Sequence, residues 1–198
     1  MDNEKHSYIQ DFIRFLVKFD LKIKDLEKKI ILDLGAGGRD LARWCWKSGI
    51  RNIYSLEPRV GEYLLRPSLG AGLYLINNRE SYKKDADNKT VAGVSQAMPF
   101  KNETFDLIIA NYSVPYFLEA EVDINQTLGE ILRVLKPVGE ARFFPFNANS
   151  EDLREFLWKR MKRLRETRAI TFYTEPKEIG IPGMPIREKD FLVVIKKR

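Results

Sequence analysis

Ile9, Phe12, Ile13, Leu16 and Val17 recur at the spacing of one helical face, and Phe15 and Phe19 widen it. This predicts a helix over Glu4–Phe19, with a short helix or turn near Asp20–Lys28. The pattern then changes. Ile30-Ile31-Leu32 is a continuous apolar run that ends at Asp33 and a glycine cluster, as a buried parallel strand does on entering a tight turn. From Gly38 the helical period returns through Leu41, Ala42, Cys45 and Trp46 until Ser48-Gly49 stops it. Asn52–Leu56 is the next predicted strand, and Pro58 suits the first turn of another helix. Residues 67–89 show no clean period; a short helix or strand and a polar loop are expected there.

Thr90–Ser95 predicts a third strand and Phe105–Ala110 a fourth. Ile124, Leu128, Ile131, Leu132 and Leu135 mark a helix that ends before Pro137. A fifth strand is expected over Glu140–Phe146, then a long basic helix over Ser150–Arg168. The strands Ala169–Thr174 and Phe191–Lys196 flank a Pro/Gly-rich loop at Ile179–Pro185. Alternating strands and helices predict an α/β, doubly wound, mostly parallel seven-stranded sheet with helices on both faces. The closing helix, strand, loop and strand break that alternation and place an antiparallel strand near one edge. No linker interrupts the pattern. The expectation is one domain: a helical extension over 1–29, a core over 30–146, and a closing helix and two strands over 147–198.

Composition adds bounds. A chain of 198 residues, 44% hydrophobic and 31% charged, has enough apolar surface for one full core. No apolar run reaches the length of a membrane span, and the N-terminal helix is broken by Arg14, Lys18 and Asp20, unlike a secretory leader. The one cysteine, Cys45, cannot form an internal disulfide, and with His6 as the one histidine no metal site is expected. A cytoplasmic location is the expectation. The net charge of +6 tilts partners mildly toward anions.

Candidate chemistry concentrates at Ile31–Arg39. Gly35 allows the turn out of the strand, Gly37 lets a ligand approach the backbone, and the next helix points its first amides toward it. Glu57, 22 residues beyond Gly35 and at the end of the next strand, can accept both ribose hydroxyls of an adenosine.

The segment resembles the first motif of class I S-adenosylmethionine-dependent methyltransferases. Later stretches agree in order: Tyr54-Ser55-Leu56-Glu57-Pro58, then Ala97-Met98-Pro99-Phe100 with Phe105-Asp106-Leu107-Ile108-Ile109, then Ile131-Leu132-Arg133-Val134-Leu135-Lys136-Pro137. The resemblance implies S-adenosyl-L-methionine as cofactor, with Asp33 and Gly35 near its methionine end. The implied cofactor contour is Asp33, Gly35, Ala36, Gly37, Glu57, Pro58, Ser95, Gln96, Ala97 and Asn111. Where the family often carries an adenine-binding Asp, this chain has Val94, so adenine falls to Ser95, Gln96 or backbone groups. Where the family repeats glycine after Lys136-Pro137, this chain has Val138 and then Gly139.

No catalytic residue is assigned. Acceptor-facing groups are expected from Tyr112, Ser113 and Tyr116 after the fourth strand, from Phe146 and Asn147 after the fifth, and from the N-terminal helix, with packing as the alternative for the tyrosines and for that helix. The reading Asn-Tyr-Ser-Val at Asn111–Val114 disfavours the enzymes with an Asn-Pro-Pro-Tyr type motif. Small size favours a small-molecule acceptor. The alternatives are an RNA or protein acceptor, with the basic helix 150–168 as the nucleic-acid surface, and a methyltransferase-like binding protein without activity.

Overall fold

The computed structural model describes residues 2–58, 89–146, 148, 150–177 and 190–198. The helix expected after Pro58, the stretch 67–88, Asn147 and the loop 179–185 lie outside these residues.

In chain order the elements are α1 (Asp2–Lys18), α2 (Ile23–Leu26), β1 (Ile31–Leu34), α3 (Asp40–Lys47), β2 (Ile53–Leu56), β3 (Thr90–Val91), β4 (Phe105–Asn111), α4 (Glu121–Val134), β5 (Leu135–Phe144), α5 (Glu151–Glu166), β6 (Ile170–Lys177) and β7 (Asp190–Lys197). The strands form one sheet in the order β3-β2-β1-β4-β5-β7-β6. Pairing is parallel from β3 through β5, whereas β7 runs antiparallel to both β5 and β6. The order reverses between β1 and β4, the place where such sheets open a crevice at the carboxyl ends of their strands.

Alternation along each strand sorts the side chains to two faces. Leu32, Leu34, Ile108 and Ala110 join α4 and α5 in one apolar cluster, while Ile31, Leu107 and Ile109 join α1 and α3 in the other. Phe19, Phe105, Phe143 and Phe144 are fully buried, and each such ring contributes about 2 kcal/mol. On α1 the inward face is Phe12, Phe15 and Leu16, continued by Phe19. Ile9, Ile13 and Val17 point outward, so the apolar face read from the sequence is rotated. In α5, Leu157 and Met161 are buried and Leu153, Phe156 and Leu164 pack beside them, which covers the sheet as the pattern requires.

Two strands differ from the sequence reading. β3 is two residues long, because Ser95-Gln96 already lies in a turn. β5 begins at Leu135 and runs through Pro137, with a register shift between Phe105 and Leu107 that accommodates the extra residues. Proline ends α4 as expected, and the bulge carries its missing N–H. Among the described residues no helix is long and apolar enough to cross a membrane.

Candidate functional site

The carboxyl ends of β1, β2 and β4 are tied to one another by short hydrogen bonds. The N–H groups of Gly35 and Ala36 donate to the Leu56 carbonyl at 2.9 and 3.1 Å. Ser113 Oγ donates to the Leu34 carbonyl at 2.6 Å. Gly35 has φ +71°, and a Cβ there would lie 2.3 Å from Ser113 Cβ. Only glycine fits this crossing. Gly35 therefore brings the β1 turn against the loop after β4, and Ser113 is a buried clamp.

Gly37 differs. Its φ is +47°, but among the described residues a Cβ would meet nothing within 4 Å, so the turn is open on that side. Its N–H donates to Glu57 Oε2 at 2.9 Å, which holds the β2 carboxylate against the glycine turn. Glu57 is itself buried. Arg39, also buried, stands before α3 in left-handed backbone at φ +62°, a conformation that favours glycine.

Asp33 is buried on the α3 side of β1. Burial pushes its carboxyl up to about 7; the negative Asp40 and Glu57 push the same way, and Arg39 opposes them. Asp40 is ion-paired with Arg43 one turn into α3. Cys45, buried beneath Asp33, has its thiol pushed up to about 12 by burial and by Asp33, so it is an inert core residue.

The residues expected at the adenine end follow β3. Val94 is exposed. Ser95 is buried, its Oγ 2.9 Å from Thr127 Oγ1 and donating to Gln96 Oε1 at 3.1 Å. Ala97 is exposed, as is Pro58.

Beyond β4, Tyr112 has φ +49°, strained backbone for a bulky residue, held by its N–H donating to the Phe144 carbonyl at 2.7 Å. Tyr112 and Tyr116 are each about 40% exposed at this edge. Phe146 is not: it packs between Phe143 and Trp158 in the core at 5% exposure. Phe146 follows β5 closely enough to share its apolar face with α5, so its ring is part of the core.

Two residues were missed by sequence reasoning. Lys18, at the end of α1, donates to Asn111 Oδ1 at 3.3 Å and lies 4.9 Å from the centre of the Tyr112 ring. Burial lowers its pKa from the ordinary lysine range. A lysine between Val17 and Phe19 gave no signal beyond interrupting an apolar run. Arg39 gave none, because its burial depends on the turn.

The later motif residues hold the scaffold. Arg133 donates to the Met98 and Phe100 carbonyls at 2.9 and 2.7 Å and pairs with Glu130, which clamps the loop before β4 onto α4. Asp106 accepts from the Ile30 N–H at 2.8 Å and pairs with Lys136. Burial raises its carboxyl, yet these bonds bring it below the usual range.

A family model described as a methyltransferase domain matches residues 32–143, more than half of the chain. No curated protein matches the sequence. Similar solved structures include an S-adenosylmethionine-dependent methyltransferase from Methanosarcina mazei, 14% identical with TM-score 0.58, covering 86% of this chain and 93% of that one. A protein from Pyrococcus horikoshii is 19% identical with TM-score 0.58, covering 98% and 92%. A third, described as an S-adenosylmethionine-dependent methyltransferase of Listeria monocytogenes, is 11% identical with TM-score 0.61, covering 93% and 97%. At these identities the likeness is one of fold, and it agrees with the sheet order above. By its family match the chain belongs to the class I S-adenosylmethionine-dependent methyltransferases, and its cofactor is S-adenosylmethionine.

Proposed function

We propose that this protein transfers a methyl group from S-adenosylmethionine to a small-molecule acceptor bound beside the loop after β4. The observation that carries the reading is the pairing of an open Gly37 with a tethered Glu57. A glycine-lined turn, unobstructed among the described residues, lies next to a buried carboxylate at the strand ends. These residues fit the cofactor: Glu57 suits ribose hydroxyls, and the buried carboxylate of Asp33 suits the cationic amino end. Gly35 and Ala36 shape the turn, with their amides already bonded to Leu56. Pro58, Ser95, Gln96, Ala97 and Asn111 complete the proposed contour, the Ser95 hydroxyl being engaged by both Thr127 and Gln96.

When bound, the cofactor supplies an electrophilic methyl group on a sulfonium, so the chain's task is alignment and exclusion of water. Tyr112 and Tyr116 offer aromatic walls for the acceptor, and Ser113 fixes the loop that carries them. The free, buried thiol of Cys45 agrees with a reducing, cytoplasmic location.

Calorimetry with S-adenosylmethionine tests the reading. Binding in the micromolar range is expected for the wild type, weakened at least tenfold in Glu57→Ala and abolished in Gly37→Arg. No binding at millimolar concentration refutes it.

One observation favours an RNA acceptor as the second reading. Trp158, Lys162 and Arg165 of α5 and Phe172 and Thr174 of β6 line a groove of about 450 Å³, with the Arg165 guanidinium 5.1 Å from the Phe172 ring centre. Aromatic faces with cations at the rim suit a stacked base and its phosphate. Single-stranded RNA binding that weakens steeply with salt and is lost in Trp158→Ala would favour this reading; salt-independent, weak binding counts against it.

A further inference from the structure

Lys18 ends α1 with its Nζ against the last residue of β4. The ammonium lies 4.9 Å from the centre of the Tyr112 ring and 5.4 Å from that of Phe144. It donates one hydrogen bond, to Asn111 Oδ1 at 3.3 Å. An ammonium carries three donors, so two remain. Among the described residues no carboxylate pairs with it. Withdrawing a cation from water without a counter-charge is unfavourable, and the lowered pKa agrees with that.

Three segments distant in sequence cooperate to hold it there: the end of α1, the end of β4 and the end of β5. Tyr112 supplies its ring from strained backbone at φ +49° and leaves 40% of its surface open. The result is an uncompensated cation on aromatic faces at the edge where such sheets take their ligands. We propose that Lys18 recognises an anionic group, a carboxylate or phosphate, on the methyl acceptor. This inference rests on the methyl-transfer reading for the identity of what binds. The flanking rings of Tyr112 and Phe144 favour an acceptor whose anion is attached to a flat or apolar body.

Benzoate and its neutral isostere benzamide are suitable probes. Each is titrated into the full chain, free and saturated with S-adenosylhomocysteine, comparing wild type with Lys18→Met and Lys18→Arg. Benzoate binds wild type and Lys18→Arg at least tenfold more tightly than Lys18→Met, while benzamide does not distinguish them. S-adenosylhomocysteine affinity stays within twofold in Lys18→Met. Lys18→Gln is a second uncharged variant should Lys18→Met misfold. Equal benzoate affinity in wild type and the uncharged variants, or none in wild type, overturns the proposal. So does a tenfold loss of S-adenosylhomocysteine affinity in Lys18→Met with 5′-methylthioadenosine, which lacks the carboxylate, unaffected; Lys18 then serves the cofactor. Failure of the wild type to bind S-adenosylhomocysteine refutes the methyl-transfer reading instead, and the cofactor-free titration still decides whether Lys18 takes an anion.

Discussion

The glycine turn between β1 and α3 and the loop after β4 meet at the same edge of the sheet, yet they are held differently. The turn is fixed through its own backbone N–H groups, over some twenty residues: Gly35 and Ala36 donate to the Leu56 carbonyl, and Gly37 donates to the Glu57 carboxylate. The far half has a backbone bond of this kind, from Tyr112 to Phe144, and otherwise depends on side chains from remote segments, with Lys18 reaching Asn111 across 93 positions and Ser113 reaching Leu34 across 79. Backbone geometry constrains residue type, because only glycine tolerates some conformations and approaches. A long-range side-chain contact leaves no such local mark. The proposed cofactor half of the edge is thus written in a motif, and the proposed acceptor half is not.

The sharpest way to break this comparison is to exchange the two glycines' roles. Gly35→Ala forces a Cβ into Ser113 at unfavourable φ, and it is expected to lose about 4 kcal/mol of stability. Gly37→Ala meets no atom of the described residues within 4 Å and is expected to lose about 1 kcal/mol, but to weaken S-adenosylmethionine binding far more than it weakens the fold. Equal denaturation midpoints for the two variants would remove the distinction between a packing glycine and a ligand glycine.

Asp33 sharpens the comparison from the electrostatic side. Its folded-state pKa of about 7 lies above the ordinary value of 3.8, so between those limits the folded protein retains a proton that the unfolded chain has lost. Stability therefore falls as pH rises from about 4 to 7, by about 3 kcal/mol from this group, and stays lower above that. Asp33→Asn abolishes that slope in pH-dependent urea denaturation. A cationic ligand reverses the preference, so cofactor affinity is expected to rise through pH 7 in the wild type and to stay flat in Asp33→Asn. A wild-type affinity independent of pH between 6 and 8 would separate Asp33 from the cofactor's cationic end.

The smallest effect concerns a position away from both halves. Val138 is 83% exposed and adopts φ +59°, which a β-branched residue resists. Val138→Gly is expected to raise stability by about 1 kcal/mol in thermal denaturation, with cofactor affinity unchanged. A change in affinity would mean that the β4–β5 bulge communicates with the ligand edge.

Much of the fold was legible because burial on two faces imposes a readable period. The runs at Ile31–Leu34 and Phe105–Asn111 are mostly apolar, as buried central parallel strands are, and only Asp33, Asp106 and Asn111 interrupt them. β3 was read too long because Val94 looks like a strand residue, whereas the Ser95 hydroxyl bonds Thr127 and draws the chain into a turn. Phe146 looked like a tip residue because its place in the chain follows β5; α5 folding back over it made it core. The groove of Trp158 and Phe172 was invisible for the same reason, since helix and strand period alone do not say which residues of α5 face β6.

What the sequence determined by itself was the alternation of elements, the antiparallel ending and the position of the cofactor turn. These follow from local rules: hydrophobic period, proline's missing donor and glycine's access to left-handed backbone. The tertiary structure alone decided that Gly35 packs while Gly37 opens, that burial pushes the Asp33 carboxyl up, and that Lys18 donates to Asn111 with no carboxylate beside it among the described residues. Each of these depends on which distant atoms arrive within a few ångströms, and on how much water they exclude when they do.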